Sequence, residues 1–297
     1  MKYKVVGIGE LLWDLLPSGP KLGGAPANFA YHAQALGAEA AMITRVGDDE
    51  RGREAVRCIE SIGLSSTGIQ TDEKAPTGTV TVVLDGNGVP SYTIHTDTAW
   101  DRIEATPEAL AVVRAADALC FGSLAQRSLA SRESIQRLLS AAPTEAWRVF
   151  DINLRQHYHS REVIERSLQL ANVLKLNDEE LPVVADLFAL SGDSKRQIES
   201  LLDTFDLKVV ALTRGGGGSL IYKDGSWSDC RPEAVQVVDT VGAGDAFTAA
   251  LVLGLLHGAP LDAMHAFASE VAGYVCTCAG GTPTLPESLS RHHWVCS

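Results

Sequence analysis

The residues best suited to chemistry lie at 235–256, VQVVDTVGAGDAFTAALVLGLL. Two glycines and two aspartates separate an apolar run from an apolar helix pattern, more polarity than a junction of buried elements needs. The pattern reads as a strand ending at Val238 and a helix over 246–256, terminated by His257 and Gly258. Gly242, Ala243 and Gly244 then lie at the helix's amino end, where unpaired N–H groups and the helix dipole attract an anion. Glycine lets backbone approach a phosphate with no Cβ in the way. Asp245 sits beside that anion site. Its charge would repel a phosphate, unless its task is to face a hydroxyl about to attack one. A positioned nucleophile and a stabilised anion together are what phosphoryl transfer requires.

Other polar residues fall at comparable places. Asp151, Asn153 and Arg155 follow RVF, Asn177 and Glu180 follow VLKL, and Thr213, Gly215 and Gly218 follow VVAL. With Asp239, Thr240 and the glycines after VQVV, four successive expected strand ends carry such groups toward the edge where open α/β sheets bind ligands. One alone could be a helix cap, as Asn177 before DEELP would be; four read as a shared site. Competing motifs fail. Gly7-x-Gly9 is followed by Leu12 rather than a third glycine, which disfavours a nicotinamide dehydrogenase, and RGGGGSL lacks the Gly-Lys-Ser/Thr of a P-loop. TRGGGG reads as a loop passing close to a nucleotide or as a plain turn into a hairpin. Cys276-x-Cys278 lacks zinc spacing, and HYH at 157–159 has no nearby carboxylate, so these read as core thiols and surface histidines.

Elements to hold such a site are legible. YKVVGIG, AAMITRVG, ALCFGS, RVFDIN, NVLKLN, KVVALTRG and VQVVDT are short and rich in Val and Ile, as buried strands are. Segments with apolar spacing near 3.6, such as NFAYHAQALG and REVIERSLQLAN, lie between most of them. That alternation predicts an α/β fold, doubly wound, with a mostly parallel sheet covered by helices on both faces. Residues 77–96 break it with two period-2 segments joined by DGNG, a hairpin signal and a candidate lid that would exclude water. We expect one domain over 1–297, with a lid from about 12–20 and 77–98.

Composition sets bounds. Over 297 residues, 45% hydrophobic and 21% charged, the chain can bury a large core. A net charge of −12 argues against nucleic-acid or membrane partners, since its field repels phosphates at long range. Six cysteines do not suggest a disulfide framework, and neither a signal peptide nor a spanning segment fits, so a cytoplasmic protein is expected.

With these residues in hand, the chain resembles the ribokinase-like (PfkB) carbohydrate kinases over nearly its whole length. DTVGAGDAF looks like that family's carboxyl-terminal signature, and GGAPANFAYHAQALG with RVGDDERG like its amino-terminal one. NDEE at 177–180 is similar to its N-x-x-E element, and TRGGGG to its nucleotide loop. The resemblance implies that Asp245 is the catalytic base and that the amides of Gly242, Ala243 and Gly244 form the anion hole. It implies that Asn177 and Glu180 organise Mg²⁺, its waters and the ATP phosphates, and that Thr213, Gly215 and Gly218 line the nucleotide pocket, with Gly244 against the phosphates. Asp14, Gly24 and Asn28 would grip sugar hydroxyls, with Gly23 allowing the close approach. From the residues alone, Asp14 could equally be a solvated turn residue and Asn28 a helix cap. Asp239, Val241, Val275, Cys278, Gly280 and Thr284 fall where relatives hold a monovalent cation, here K⁺.

Within the family, GELLWD, GGAPANFAY, AWD at 99–101 and DINLR look most like fructokinases. Ala25-Pro26 stand where ribokinases and phosphofructokinases of this family commonly show a lysine, and 77–100 contain no Lys or Arg, which favours an unphosphorylated ketohexose. Arg155 would contact the sugar or the transferring phosphate, or else pair with a neighbouring acid. Ser269 stands where an asparagine frequently lies near the adenine. The implied reaction is ATP-dependent phosphorylation of fructose; 2-keto-3-deoxygluconate, ribose or a nucleoside are same-fold alternatives, and a silent sugar-binding sensor is the alternative of another class. A homodimer through the lid is expected from the apolar TVTVVL.

Overall fold

The computed structural model describes residues 2–84, 90–231 and 233–292. In chain order its strands are β1 (Lys4–Ile8), β2 (Leu12–Leu16), β3 (Gly19–Gly23), β4 (Glu39–Gly47), β5 (Ile69–Asp72), β6 (Gly78–Leu84), β7 (Pro90–Ile94), β8 (Ala118–Phe121), β9 (Trp147–Asp151), β10 (Val173–Asn177), β11 (Val209–Thr213), β12 (Ser219–Lys223) and β13 (Ser226–Cys230). The helices are α1 (Ala25–Ala35), α2 (Glu50–Ser61), α3 (Pro107–Arg114), α4 (Leu129–Ser140), α5 (Arg161–Leu170), α6 (Glu180–Phe188), α7 (Ser194–Phe205), α8 (Ala243–Leu256), α9 (Leu261–Cys276) and α10 (Glu287–Ser290).

The main sheet has nine strands in the order β13-β12-β11-β10-β9-β8-β1-β4-β5, parallel from β11 to β5. Its strands read as unbroken apolar runs because both faces are covered. Successive side chains alternate between two layers: Val5, Cys120, Val149, Val173 and Val209 pack with α1, α2, α8 and α9. Val6, Leu119, Phe150, Leu174 and Val210 pack with α3 to α7. The strand period of two produces that division. It also leaves the carboxyl ends of β1, β4 and β8 to β11 at one edge.

A second sheet, β3-β2-β6-β7, stands beside the first. It corresponds to the expected lid, lengthened by β3; the DGNG turn at 85–88 lies outside the described residues. Val80, Val82 and Ile94 are buried with Leu12 and Trp100, so these two valines, expected at a dimer surface, are covered. Three side chains from the body hold β7 and the residue after it. Gln156 Nε2 donates to Tyr92 O (2.8 Å), the Tyr158 hydroxyl to Ile94 O (3.4 Å) and Arg127 Nη2 to His95 O (2.6 Å).

One expected strand is absent. Residues 235–238 form no ladder, and Val235, Val237 and Val238 are 41%, 59% and 61% exposed. The place beside β11 that this segment would need is occupied by the antiparallel β12–β13 hairpin. The segment is instead tied by Val238 N to Cys276 O (2.8 Å), at the end of α9. Three strand ends and one loop, rather than four strand ends, therefore border the site. Cys276 and Cys278 are half-buried free thiols rather than core ones, and His159 is half-buried while His157 is exposed.

Candidate active site

The tip of α8 answers why GAG is required between 242 and 244. Gly242 caps the helix at φ 76°, in the left-handed region, and a Cβ there would lie 2.3 Å from Gly281 O. At Gly244 a Cβ would lie 3.0 Å from Lys175 Nζ. Asp245, one step further and buried, accepts a hydrogen bond from Asn28 Nδ2 at 2.8 Å. Asn28 is a turn inside α1, its N–H bonded to Gly24 O, so it is no helix cap. Burial and the charge of Asp151 push the Asp245 carboxyl up to about 7, against the lowering effects of the Asn28 bond and the cations Lys175 and Arg155.

The expected sugar side meets this tip. Asp14 lies within β2, not in a turn; burial raises its carboxyl, and Arg155 counteracts the rise. Gly23, on the paired β3, leaves room for it, since a Cβ there would be 2.5 Å from Asp14 Oδ2. Gly24 has φ 118° and would bring a Cβ to 2.3 Å from Glu10 O. Arg155 is exposed and donates to Leu154 O (3.2 Å) and Asn153 Oδ1 (3.3 Å). Its charge acts on Glu10, Asp14 and Asp245 alike, lowering all three carboxyls against the effect of burial. A small cleft bounded by Ala25, Pro26, Cys120, Gly122, Asn153, Asp151 and Asp245 opens beside them. A wider surface hollow lined by Phe188 and Phe205 lies among the outer helices α5 to α7, away from these groups.

The glycines of Gly7-x-Gly9 have a packing explanation. A Cβ at Gly7 would sit 2.3 Å from Pro26 O, and one at Gly9 2.8 Å from Pro26 Cγ. They let the start of α1 rest directly on β1, which is what carries Asn28 to Asp245.

On the expected nucleotide side, Asn177 Oδ1 accepts from Glu179 N (2.9 Å) and Glu180 N (2.8 Å) at the start of α6. Glu180 is buried, accepting from Leu154 N and Asn177 N (2.9 Å each), which staples the ends of β9 and β10 together. Burial raises its carboxyl, opposed by Lys175. Thr213 Oγ1 donates to Leu176 O (3.4 Å), and Ser269 Oγ lies 3.4 Å from Ser219 Oγ. Gly215 (φ 50°) is exposed, whereas Gly218 (φ 91°) is pinned, a Cβ there meeting Cys230 O at 2.2 Å.

The oxygens of Asn177 and Glu180 already accept backbone N–H groups, so they fit a Mg²⁺ only through its waters, in keeping with an ion that favours a few carboxylates plus phosphates over an all-protein cage. Among the K⁺ candidates, Asp239 accepts from Val241 N (3.1 Å) and Gly280 N (2.9 Å), which joins the loop before α8 to the one after α9. Val275 O already accepts from Cys278 N (3.0 Å), and Thr284 O from the Tyr274 hydroxyl (3.0 Å).

Two site residues escape the sequence reading. Glu10 is buried with one oxygen unpartnered, and burial pushes it up to about 7. Lys175 is buried against Asp151 at 3.1 Å; burial alone would pull its ammonium down, but Asp151, Glu180 and Asp245 hold it above the ordinary value. A charged residue inside or just after a buried strand run was the available signal for both.

Comparison with known proteins places this geometry among relatives. A family model described as pfkB family carbohydrate kinase matches residues 20–288. The chain is 32% identical to a fructokinase of Klebsiella pneumoniae, over 98% of this chain and 99% of that one. It is 31% identical to an uncharacterized sugar kinase of Pyrococcus horikoshii, over 96% and 94% of the two chains. The crystal structure of that kinase in complex with ATP superposes with a TM-score of 0.79, covering 94% of each. A Xylella fastidiosa fructokinase with bound ATP superposes at 0.86 over 98% of each chain, at 23% identity.

Proposed function

The chain belongs to the pfkB family of carbohydrate kinases, and we propose that it transfers the γ-phosphoryl of ATP to a primary hydroxyl of a ketohexose, turning fructose into fructose 6-phosphate. The observation that carries the reading is the Asn28–Asp245 hydrogen bond at the tip of α8. It joins the expected sugar side to the expected anion site.

Asp14 and Asn28 orient the sugar, so that one hydroxyl meets Asp245 in line with the γ-phosphate. The hydroxyl oxygen attacks phosphorus, its proton passes to the Asp245 carboxylate, and the bond to ADP breaks. The amides of Gly242 and Gly244 take up charge in the loose transition state, and that of Ala243, which donates to Thr240 O (3.3 Å), joins them only on leaving that partner. Asn177 and Glu180 would hold a Mg²⁺ near the phosphates, and the bound ion would supply neutralisation of phosphate charge. Thr213, Gly215 and Gly218 line the nucleotide pocket. The lid keeps water out, held to the body by Gln156, Tyr158 and Arg127.

The electrostatics favour a neutral acceptor. Arg155 is one cation on the sugar side, and its charge acts on Glu10, Asp14 and Asp245 together; Lys21 stands opposite Asp14 in the ladder of β2 and β3. A sugar acid such as 2-keto-3-deoxygluconate would add a fourth carboxylate there. The assembly and setting proposed with this activity are a homodimer formed through the lid and a cytoplasmic location. On β7, Tyr92 is 54% exposed and offers a surface for that contact.

The test is ADP release from purified protein with Mg·ATP against a panel of fructose, ribose, 2-keto-3-deoxygluconate and nucleosides. Fructose should give the highest kcat/KM, with the phosphate located on carbon 6 by NMR. ADP release with none of the panel would leave a sugar-binding sensor as the reading; a preference for the sugar acid would replace fructose.

A further inference from the structure

The strand that delivers Asn177 also carries a charge with no place in the reaction just described. Lys175 lies in the middle of β10, with Leu174 and Leu176 buried on either side. Its ammonium meets Asp151 Oδ1 at 3.1 Å. The other Asp151 oxygen accepts from the Thr248 hydroxyl at 2.9 Å, and that hydroxyl lies 2.9 Å from Gly244 O. The ring closes at Gly244, where the space a Cβ would fill is 3.0 Å from the same ammonium. Lys175, Asp151, Thr248 and Gly244 thus tie two central strands to the first turn of α8.

Stability alone is a poor reason for such an arrangement. A buried ion pair costs desolvation of both charges and is often replaceable by apolar residues without loss. The glycine at 244 and the ammonium beside it instead put positive charge where the helix dipole is already positive. In a poorly solvated site those contributions act in the same direction on an arriving phosphate. The surroundings otherwise hold Asp151, Glu180 and Asp245, three carboxyls that repel it.

We propose that Lys175 is a positioning residue for phosphoryl transfer: locked by Asp151, it fixes the tip of α8 and offsets the surrounding carboxylates so that the γ-phosphoryl can reach the Gly242–Gly244 amides. The proposal rests on the kinase reading above. It assigns to Lys175 a contribution to the transition state rather than to ground-state binding.

The experiment compares three proteins: wild type, Asp151→Asn, and Asp151→Asn with Lys175→Gln. The last leaves a neutral, hydrogen-bonding pair where the ion pair was, so neither partner remains as an uncompensated buried charge. Melting temperature, kcat and both KM values are measured with Mg·ATP and the best sugar of the panel. On the Asp151→Asn background, Lys175→Gln should lower kcat by at least about tenfold while both KM values stay within about threefold, the signature of an interaction made in the transition state. The double variant should melt no lower than Asp151→Asn. An equal kcat in the two variants, or a loss confined to KM, overturns the role. Should the double variant fail to fold, Thr248→Val decides instead. It removes the hydroxyl between Asp151 and Gly244 O without removing any charge, and an unchanged kcat there also overturns the role. A wild type silent toward every sugar removes the kinase reading and this role with it, whereas an active wild type with insensitive variants removes this role alone.

Discussion

Two glycine-rich loops border the candidate site, and they are glycine-rich for different reasons. At 242–244 the glycines are enclosed: one sits under Gly281 in a left-handed conformation, the other over the Lys175 ammonium. At 215–217 they are exposed, and a Cβ at Gly215 or Gly216 would meet nothing within 4 Å. In that second loop Gly218 is backed against Cys230, and position 215 favours glycine through its left-handed φ of 50° rather than through crowding. The first loop is therefore prearranged by the body of the protein, while the second has room to adapt to what it binds. A site that must present fixed amides to a transferring group needs the former; one that covers a nucleotide tolerates the latter.

That contrast can be broken at several points. The largest effect is expected from Asp245→Asn, which should lower kcat by about 10³-fold or more while ATP still binds, as removal of a catalytic group does. Relative to wild type, the same variant should gain stability as pH rises. The Asp245 carboxyl titrates near 7 in the folded chain and near its ordinary 3.8 when unfolded. The folded state holds the extra proton between those values, so this group's contribution to stability falls as pH climbs from about 4 to 7. Asparagine removes that loss, and its melting temperature relative to wild type should rise over the same window and level off above it. A difference that shrinks with pH would contradict the buried, raised carboxyl.

Next in size is the pH dependence of wild-type kcat/KM. If Asp245 must be ionised to accept the proton, the rate should rise with pH up to about 7 and then flatten, changing roughly tenfold per unit on the acid side. Flat activity from pH 5 to 8 would separate proton acceptance from this residue. Smaller in rate but large in stability, Gly242→Ala should cost on the order of 1–3 kcal/mol, because alanine resists the left-handed backbone and its methyl meets Gly281. Urea unfolding measures it. Smallest of all, Gly216→Ala should change stability by less than about 0.5 kcal/mol and move the KM for ATP only modestly. A Gly216→Ala protein as crippled as Gly242→Ala would erase the distinction between the loops.

How far the sequence could carry this reading depends on the range of each signal. Strands and helices were legible because their periods are local: the alternation of apolar runs with 3.6-spaced segments is enough for the parallel sheet, and two period-2 segments for the lid hairpin. The start of α8 was legible too, since a glycine pair and an aspartate before an apolar helix leave few structural alternatives. Residues 235–238 misled because Val-x-Val-Val has strand composition, and nothing in four residues reports that the edge of β11 is already taken. Glu10 and Lys175 were passed over because each sits in a run that reads as apolar, and only burial reveals a charge enclosed with its partners.

The chain's own order of residues therefore determined which elements form, and that one helix tip would carry amides and a carboxylate. Tertiary structure alone decided that Asn28 meets Asp245 across 217 positions, that Lys175 stands under Gly244, and that Gly7 and Gly9 serve packing rather than a dinucleotide. The reason is that local preference acts over a few residues, whereas a contact between distant segments exists only once both have been packed against the same core.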